Sequence, residues 1–393
     1  MNIVILTKAP FPDGAAVSTY VLNVCRAITA SGNHVTVLGC RRGLKTEYPV
    51  SGAFEGIDYI NFDAVHHNKA VVYLYDRYWD QYAKHRLSKI ENTNLVFLYG
   101  GTRSTARSIY KYCKKNGMEY GAFNCEWYTK DCFVSENDAR TVENMTELNP
   151  FNAKHADKAI LISSLLYGYY TQNGVKSIMI PNIVDLNDKK WDVRKIRLST
   201  DKLRIAYAGV PGVGKDELGT VIEAIDALPL DIRENIEFNI WGPTPEQMDK
   251  YMGAKREILG RVKNSVIIHG RAVQEDIPRF LNECHFTILI RKPSLRTNAG
   301  FSTKMVESFA AGVPMIANIT GDIGTYLKDG VNGIVVEDDT VKACTEALRR
   351  ALNLLDKNDS LRERAKQTAE LYFDYRQYIN SMKGYLLSAE ESK

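Results

Sequence analysis

The chain has 393 residues, more than one ordinary hydrophobic core holds, so two domains are expected; its 45% hydrophobic and 25% charged residues are those of a soluble globular protein. The formal charge of +4, from 51 Lys and Arg against 47 Asp and Glu, is too slight to argue for nucleic acid and allows only weak attraction to an anionic surface. No apolar run approaches the roughly eighteen residues of a membrane span, and the seven cysteines, without a Cys-x-x-Cys pair, read as reduced core residues of a cytoplasmic protein.

Residues 1–7 are too short an apolar stretch for a secretion signal and read as a first buried strand. A loop through Gly14 leads into a helix capped at Ser18, with Val21, Leu22, Cys25 and Ile28 on one face. A strand at 35–38 completes a βαβ unit. Such units build parallel, doubly wound sheets, whose ligands bind beyond the C-terminal strand ends. Gly14 lies at such an end, either as a plain turn or as part of a ligand loop. Residues 70–89 read as one Tyr-rich helix containing Tyr73, Tyr75, Tyr78, Trp79 and Tyr82. Aromatics at this density mean packing, with an acceptor- or membrane-facing surface as the alternative. A strand at 95–99 and a helix at 104–116 follow. The next strand, 120–124, delivers Glu126 to its C-terminal end, as a surface carboxylate or as a residue of a ligand cleft.

Residues 187–201 are charged and aperiodic and mark a domain boundary, so residues 1–195 form the first domain. A second βαβ series occupies 202–370, with strands at 203–208, 238–241, 266–269, 286–290, 315–317 and 334–336. Residues 371–393 continue a mostly helical, Tyr- and Phe-rich tail.

Two stretches of the second series carry chemistry. Gly209-Val-Pro-Gly-Val-Gly214-Lys215-Asp216 follows a strand and precedes a helix, and matches a P-loop up to its last position. There Asp216 replaces the metal-binding Ser or Thr and would repel phosphates, so a true P-loop is disfavoured. The other stretch is 291–318. A strand runs into a polar loop with Arg291 and Arg296, passes Gly300 and opens a helix at about Ser302 or Thr303. Met305, Val306, Phe309 and Ala310 recur at helical spacing, Gly312 ends the helix and Pro314 prevents its continuation. Such a helix start presents free N–H groups to an anion. Glu307 lies four residues after Thr303, on the same face. A solvated Glu on an ordinary strand–loop–helix unit is the plain alternative.

The run Lys304-Met-Val-Glu307-Ser-Phe-Ala-Ala-Gly312-Val-Pro314-Met-Ile resembles the donor-site signature of GT-B glycosyltransferases of family 4. The resemblance implies two Rossmann-like domains with parallel sheets facing a cleft, and a terminal helix that returns to the first domain. It implies retaining transfer of a sugar from a nucleotide diphospho-sugar to a carbohydrate or lipid-linked acceptor hydroxyl, without a metal or other cofactor. Family members often build surface polysaccharides, which implies a cytoplasmic protein with peripheral contact at the inner face of the membrane.

By the same resemblance, Glu307 holds the ribose hydroxyls of the donor, and the amides of Phe301, Ser302 and Thr303, with Gly300 in the turn, hold its diphosphate. Gly14 faces the phosphates from the first domain, and Lys215 grips them. Glu126 stands near a position where the family often has His. Two departures are plain: Ala299 occupies the place of a second Glu, and Val210 that of an Arg. Arg291 and Arg296 are the candidates to restore the missing charge. Lys215, Glu126 and Arg291 are thus the catalytic candidates. An epimerase of the same fold and a non-catalytic nucleotide-sugar binding protein are the rival readings. No zinc spacing or Ser-His-Asp pattern is visible.

Overall fold

The computed structural model describes residues 1–41, 48–133, 139–193, 196, 198–211 and 215–387. The chain forms two compact units: Met1–Val184 with Tyr375–Lys393, and Asp185–Asp374.

The first unit is built on an eight-stranded sheet. Its strands are β1 (Asn2–Leu6), β2 (His34–Arg41), β3 (Ser51–Phe54), β4 (Ile57–Asp63), β5 (Leu95–Tyr99), β6 (Glu119–Asn124), β7 (Lys158–Leu161) and β8 (Lys176–Met179). Their order is β3-β4-β2-β1-β5-β6-β7-β8, all parallel except the β3–β4 hairpin at the edge. Ile3 to Leu6 and Leu95 to Leu98 are unbroken apolar runs and fully buried, as strands covered on both faces must be.

Three sequence expectations shift here. The first helix spans Ala16–Ala30, starting two residues before Ser18, which lies inside it with a buried hydroxyl. Residues 70–89 form two helices, Lys69–Arg77 and Trp79–Leu87, because Tyr78 at φ −117° and ψ 29° leaves the helical region. The β3–β4 hairpin was not anticipated, although residues 57–63 alternate in burial, as a strand with one face less covered does.

The second unit has a six-stranded, wholly parallel sheet: β9 (Leu203–Ala208), β10 (Ile236–Trp241), β11 (Val266–Gly270), β12 (Phe286–Leu289), β13 (Met315–Asn318) and β14 (Gly333–Val336). The order is β11-β10-β9-β12-β13-β14. The direction of strand succession reverses between β9 and β12, the topological switch point where open α/β sheets bind ligands.

The unit boundary falls at Val184/Asp185, before the expected 195. The amide of Leu186 donates to Asp374 Oδ2 at 3.3 Å and Trp191 is buried, so these residues pack with the second unit despite their polar surroundings. The chain re-enters the first unit at Tyr375, whose amide donates to Val184 O at 3.0 Å. The helix Ile379–Leu386 then packs on Ala16–Ala30 and on β8.

Candidate active site

The switch point of the second sheet gathers charged side chains that lie far apart in sequence. β9 is followed by Gly209, with φ +137°, and β10 by Gly242, with φ +129°. The two turns touch: a Cβ on Gly242 would lie 2.2 Å from Gly209 O. A Cβ on Gly209 would lie 2.7 Å from Lys304 Cε and 3.0 Å from its Nζ. The missing side chain and the positive φ both require glycine there.

Lys304 is the second residue of the helix Thr303–Ala310. Burial of Met305, Val306, Phe309 and Ala310 fixes that helix on the sheet. Its N-cap, Ser302, makes no side-chain capping bond, and the buried Ser302 hydroxyl has no partner among the described residues. One turn after Lys304, on the same face, Glu307 borders a small cleft with Lys304, Tyr207, Ala208, Thr287 and Met315. The Glu307 side chain keeps some surface, but its carboxyl is closely surrounded by protein. Burial pushes its pKa up, and the positive charges of Lys304 and Lys190 act against that rise.

Beside the cleft lies Asp216, 3% exposed. Its Oδ1 accepts from Arg291 Nε at 2.9 Å; its Oδ2 takes the Tyr207 hydroxyl at 2.9 Å and Lys304 Nζ at 2.9 Å. Burial alone would raise the Asp216 carboxyl, but Lys304 and Arg291 outweigh it and bring it down to about 2. Tyr207 moves the other way: burial, then the Asp216 carboxylate, push its phenol well up. Asp216 is therefore ionised at every ordinary pH, and its charge is compensated twice. The repulsion of phosphates expected from the sequence does not arise in that form, because the carboxylate is enclosed by cations.

The sequence-derived candidates fall into separate groups. Arg291 is buried, 4% exposed, with its guanidinium turned to Asp216. Arg296 is half-buried in the short helix Leu295–Ala299, which ends at Gly300. Phe301 sends its ring into an aromatic cluster with Tyr326 and Phe373, at centroid distances of 5.4 and 5.8 Å. Lys215 is half-buried in the turn preceding Asp216, and the rest of the P-loop-like segment, Gly212 to Gly214, lies outside the described residues. Ala299, in place of the second Glu, is fully buried.

Gly14 and Glu126 belong to the first unit. A Cβ on Gly14 would lie 2.3 Å from Ser18 Oγ. Glu126 follows β6; its carboxylate accepts a short bond from the Tyr128 hydroxyl, and its carbonyl accepts from Asn149 Nδ2 at 3.0 Å. Asn149 is itself held in a buried network: Asn124 Nδ2 and the Tyr170 hydroxyl donate to its Oδ1 at 2.8 and 2.9 Å.

Sequence reasoning missed Lys304, Asp216 as a hub, and Tyr207. The only sequence signal for Lys304 is its place three residues before Glu307. Among the described residues, no group of three or more His, Cys, Asp or Glu could hold a metal ion, and no helix is long and apolar enough to cross a membrane.

Comparison with known proteins fits this geometry. Residues 203–354, most of the second unit, match the family described as "Glycosyl transferases group 1". A mannosylglucosylglycerate synthase of Petrotoga mobilis is 25% identical over 114 residues, which are 29% of this chain and 26% of that protein. The chain thus aligns with only about a quarter of that relative's length. Among solved structures, the sucrose-phosphate synthase of Thermosynechococcus elongatus has a TM-score of 0.70 at 15% identity, covering 98% of both chains. HepE of Anabaena, in complex with UDP, has a TM-score of 0.67 at 16% identity, covering 98% of this chain and 99% of that one. The fold is that of the two-domain GT-B glycosyltransferases, and the second unit carries a glycosyltransferase domain of group 1.

Proposed function

We propose that the protein transfers a sugar, with retention at the anomeric carbon, from a nucleotide diphospho-sugar to an acceptor hydroxyl. The observation that carries this reading is the pairing of Lys304 and Glu307 on the first turns of a helix at the switch point, inside the group 1 domain. A carboxylate there suits ribose hydroxyls, since a charged acceptor strengthens such bonds. Helix N–H groups, the Ser302 hydroxyl and nearby cations suit a diphosphate. The UDP bound in HepE supports a nucleotide donor.

In the transfer, the bond from the anomeric carbon to the phosphate oxygen breaks and its electron pair stays on that oxygen. The acceptor oxygen bonds to the carbon and gives its proton to the departing diphosphate. Charge grows on the diphosphate in the transition state, so fixed cations and helix dipoles speed the step. Lys215 adds to that charge from the turn before Asp216, and the side chains suffice without a metal. The acceptor is a surface polysaccharide or glycolipid precursor, which brings the protein to the inner face of the membrane. The exposed Tyr73, Leu74 and Tyr78 give the first unit an apolar patch for that contact.

Product analysis with UDP-, GDP- and ADP-sugars tests the reading. A transferase makes a new glycoside only when acceptor is present and keeps its activity in EDTA. Epimerised donor without acceptor, or full loss of activity in EDTA restored by Mg²⁺, overturns it.

A further inference from the structure

Of the two cations on Asp216, only one retains access to solvent. The Arg291 side chain is 5% exposed and the Asp216 side chain 3%, whereas that of Lys304 is 19% exposed. The Lys304 ammonium lies across Gly209 and 5.1 Å from the centre of the Tyr207 ring. Asp216 in turn is fixed on all sides. Arg291 and Tyr207 hold its carboxylate, the Tyr251 hydroxyl donates to its carbonyl at 2.9 Å, and the next amide, of Glu217, donates to Ile290 O at 2.8 Å. An isolated Asp–Lys pair would be neutral and would offer little to an anion. One carboxylate between two cations leaves a charge of +1, directed to the member that solvent and ligand reach.

We propose that Lys304 is a catalytic residue that meets the donor diphosphate, and that Asp216, braced by Arg291 and Tyr207, is the positioning residue that fixes its ammonium. This rests on the glycosyl-transfer reading. As the anomeric bond breaks and its electron pair stays on the phosphate oxygen, the added negative charge falls beside an ammonium already in place, with no reorganisation left to make. Arg291 then acts without touching the donor: it satisfies one carboxylate oxygen so that Asp216 does not cancel Lys304.

The full-length chain tests this. Wild type is titrated with UDP, GDP and ADP by calorimetry, and release of nucleoside diphosphate is measured from UDP-glucose, GDP-mannose and ADP-glucose. A wild type that binds none of the three and turns over no donor overturns the transfer reading itself. With a donor in hand, Lys304→Met should lower kcat about 100-fold and change donor KM less than about threefold, because the interaction grows in the transition state. Lys304→Arg should recover part of that loss. Asp216→Asn should lower kcat about tenfold, and adding it to Lys304→Met should cost little more, since it acts through the lysine. A folded Lys304→Met enzyme with wild-type kcat overturns the proposal, as do losses that multiply in the double variant. If Asp216→Asn fails to fold, the lysine pair decides: loss with Met and recovery with Arg supports the proposal, and equal rates in the two overturn it.

Discussion

β1 and β9 hold equivalent places, each beside the point where its sheet reverses strand order, and each leads towards a glycine that cannot accept a side chain. The neighbours that forbid it differ. At Gly14 the nearest atom is the neutral hydroxyl of Ser18; at Gly209 it is the end of Lys304. The contrast extends along the strand ends. In the first unit, Asn124, Asn149 and Tyr170 form an uncharged buried network that supports Glu126. In the second, Asp216, Arg291 and Lys304 form a charged one. Similar backbone topology therefore carries two chemistries. Amides and phenols orient partners by hydrogen bonds, as a sugar hydroxyl requires; an overall positive cluster suits a phosphate.

The variant expected to affect the charged half most is Glu307→Ala. Loss of a charged acceptor for the ribose should weaken nucleoside diphosphate binding by roughly 1.5–3 kcal/mol, measured by calorimetry. The same variant should not destabilise the protein at neutral pH. The Glu307 pKa is raised by burial, so its ionised form is a cost to the folded state above that pKa. Normal affinity in a folded variant would remove the ribose assignment.

The two glycines offer a matched pair. Gly209→Ala should reduce turnover by about tenfold or more: the Cβ displaces Lys304, and φ +137° strains any L side chain. Gly14 has no positive φ, but a Cβ there would lie 2.7 Å from Pro10 Cγ and 2.9 Å from Ser18 Cβ, so Gly14→Ala should cost stability while lowering the rate less than Gly209→Ala. Equal losses in steady-state assays and thermal melts would show that the two turns are chemically alike after all.

Asn149→Leu probes the neutral half. It leaves Asn124, Tyr170 and the Glu126 carbonyl without their shared partner, at a cost to stability of about 1–3 kcal/mol. It should raise the KM for acceptor and leave nucleoside diphosphate affinity unchanged. A fall in that affinity instead would place donor binding on the first unit too and blur the contrast.

How much of this was legible in the sequence follows from the range of each interaction. The helix Thr303–Ala310, its glycine stop and the position of Glu307 are local and could be read from spacing. The β3–β4 hairpin was not legible from periodicity, because Ile-Asp-Tyr-Ile-Asn-Phe-Asp at 57–63 does not alternate apolar and polar although its burial does. The break at Tyr78 carries no Gly or Pro and leaves no sequence mark. The charged cluster was not legible, because Asp216 and Arg291 are 75 residues apart and meet only once β9 and β12 pair. Asp216 could be seen to spoil a P-loop, but its partners could not be seen. Arg291 was put forward to replace the arginine missing at Val210; its guanidinium is instead held by Asp216, and the direct phosphate contact is proposed for Lys304.

The last comparison concerns pH, and it separates the charged cluster from a buried histidine in the same unit. His285 is 1% exposed, and its Nδ1 accepts from the Arg204 amide at 3.0 Å. Burial, then the Arg204 charge, lowers its pKa to about 4. The unfolded chain, with histidine near 6.5, then binds more protons between those values, so stability present above about pH 6.5 is lost as pH falls toward 4. Asp216 acts in a lower window. Its folded pKa of about 2 against an ordinary 3.8 contributes about 2 kcal/mol that is present above pH 3.8 and lost below it. Denaturant melts from pH 8 down to about 3 should therefore show a first decline attributable to His285 and a second to Asp216. In His285→Asn the amide oxygen can replace Nδ1 as acceptor for Arg204, and no proton is taken up. That variant should flatten the first decline and leave the second. A first decline of undiminished size in His285→Asn would assign it to other groups, and the separation of the two windows would fail.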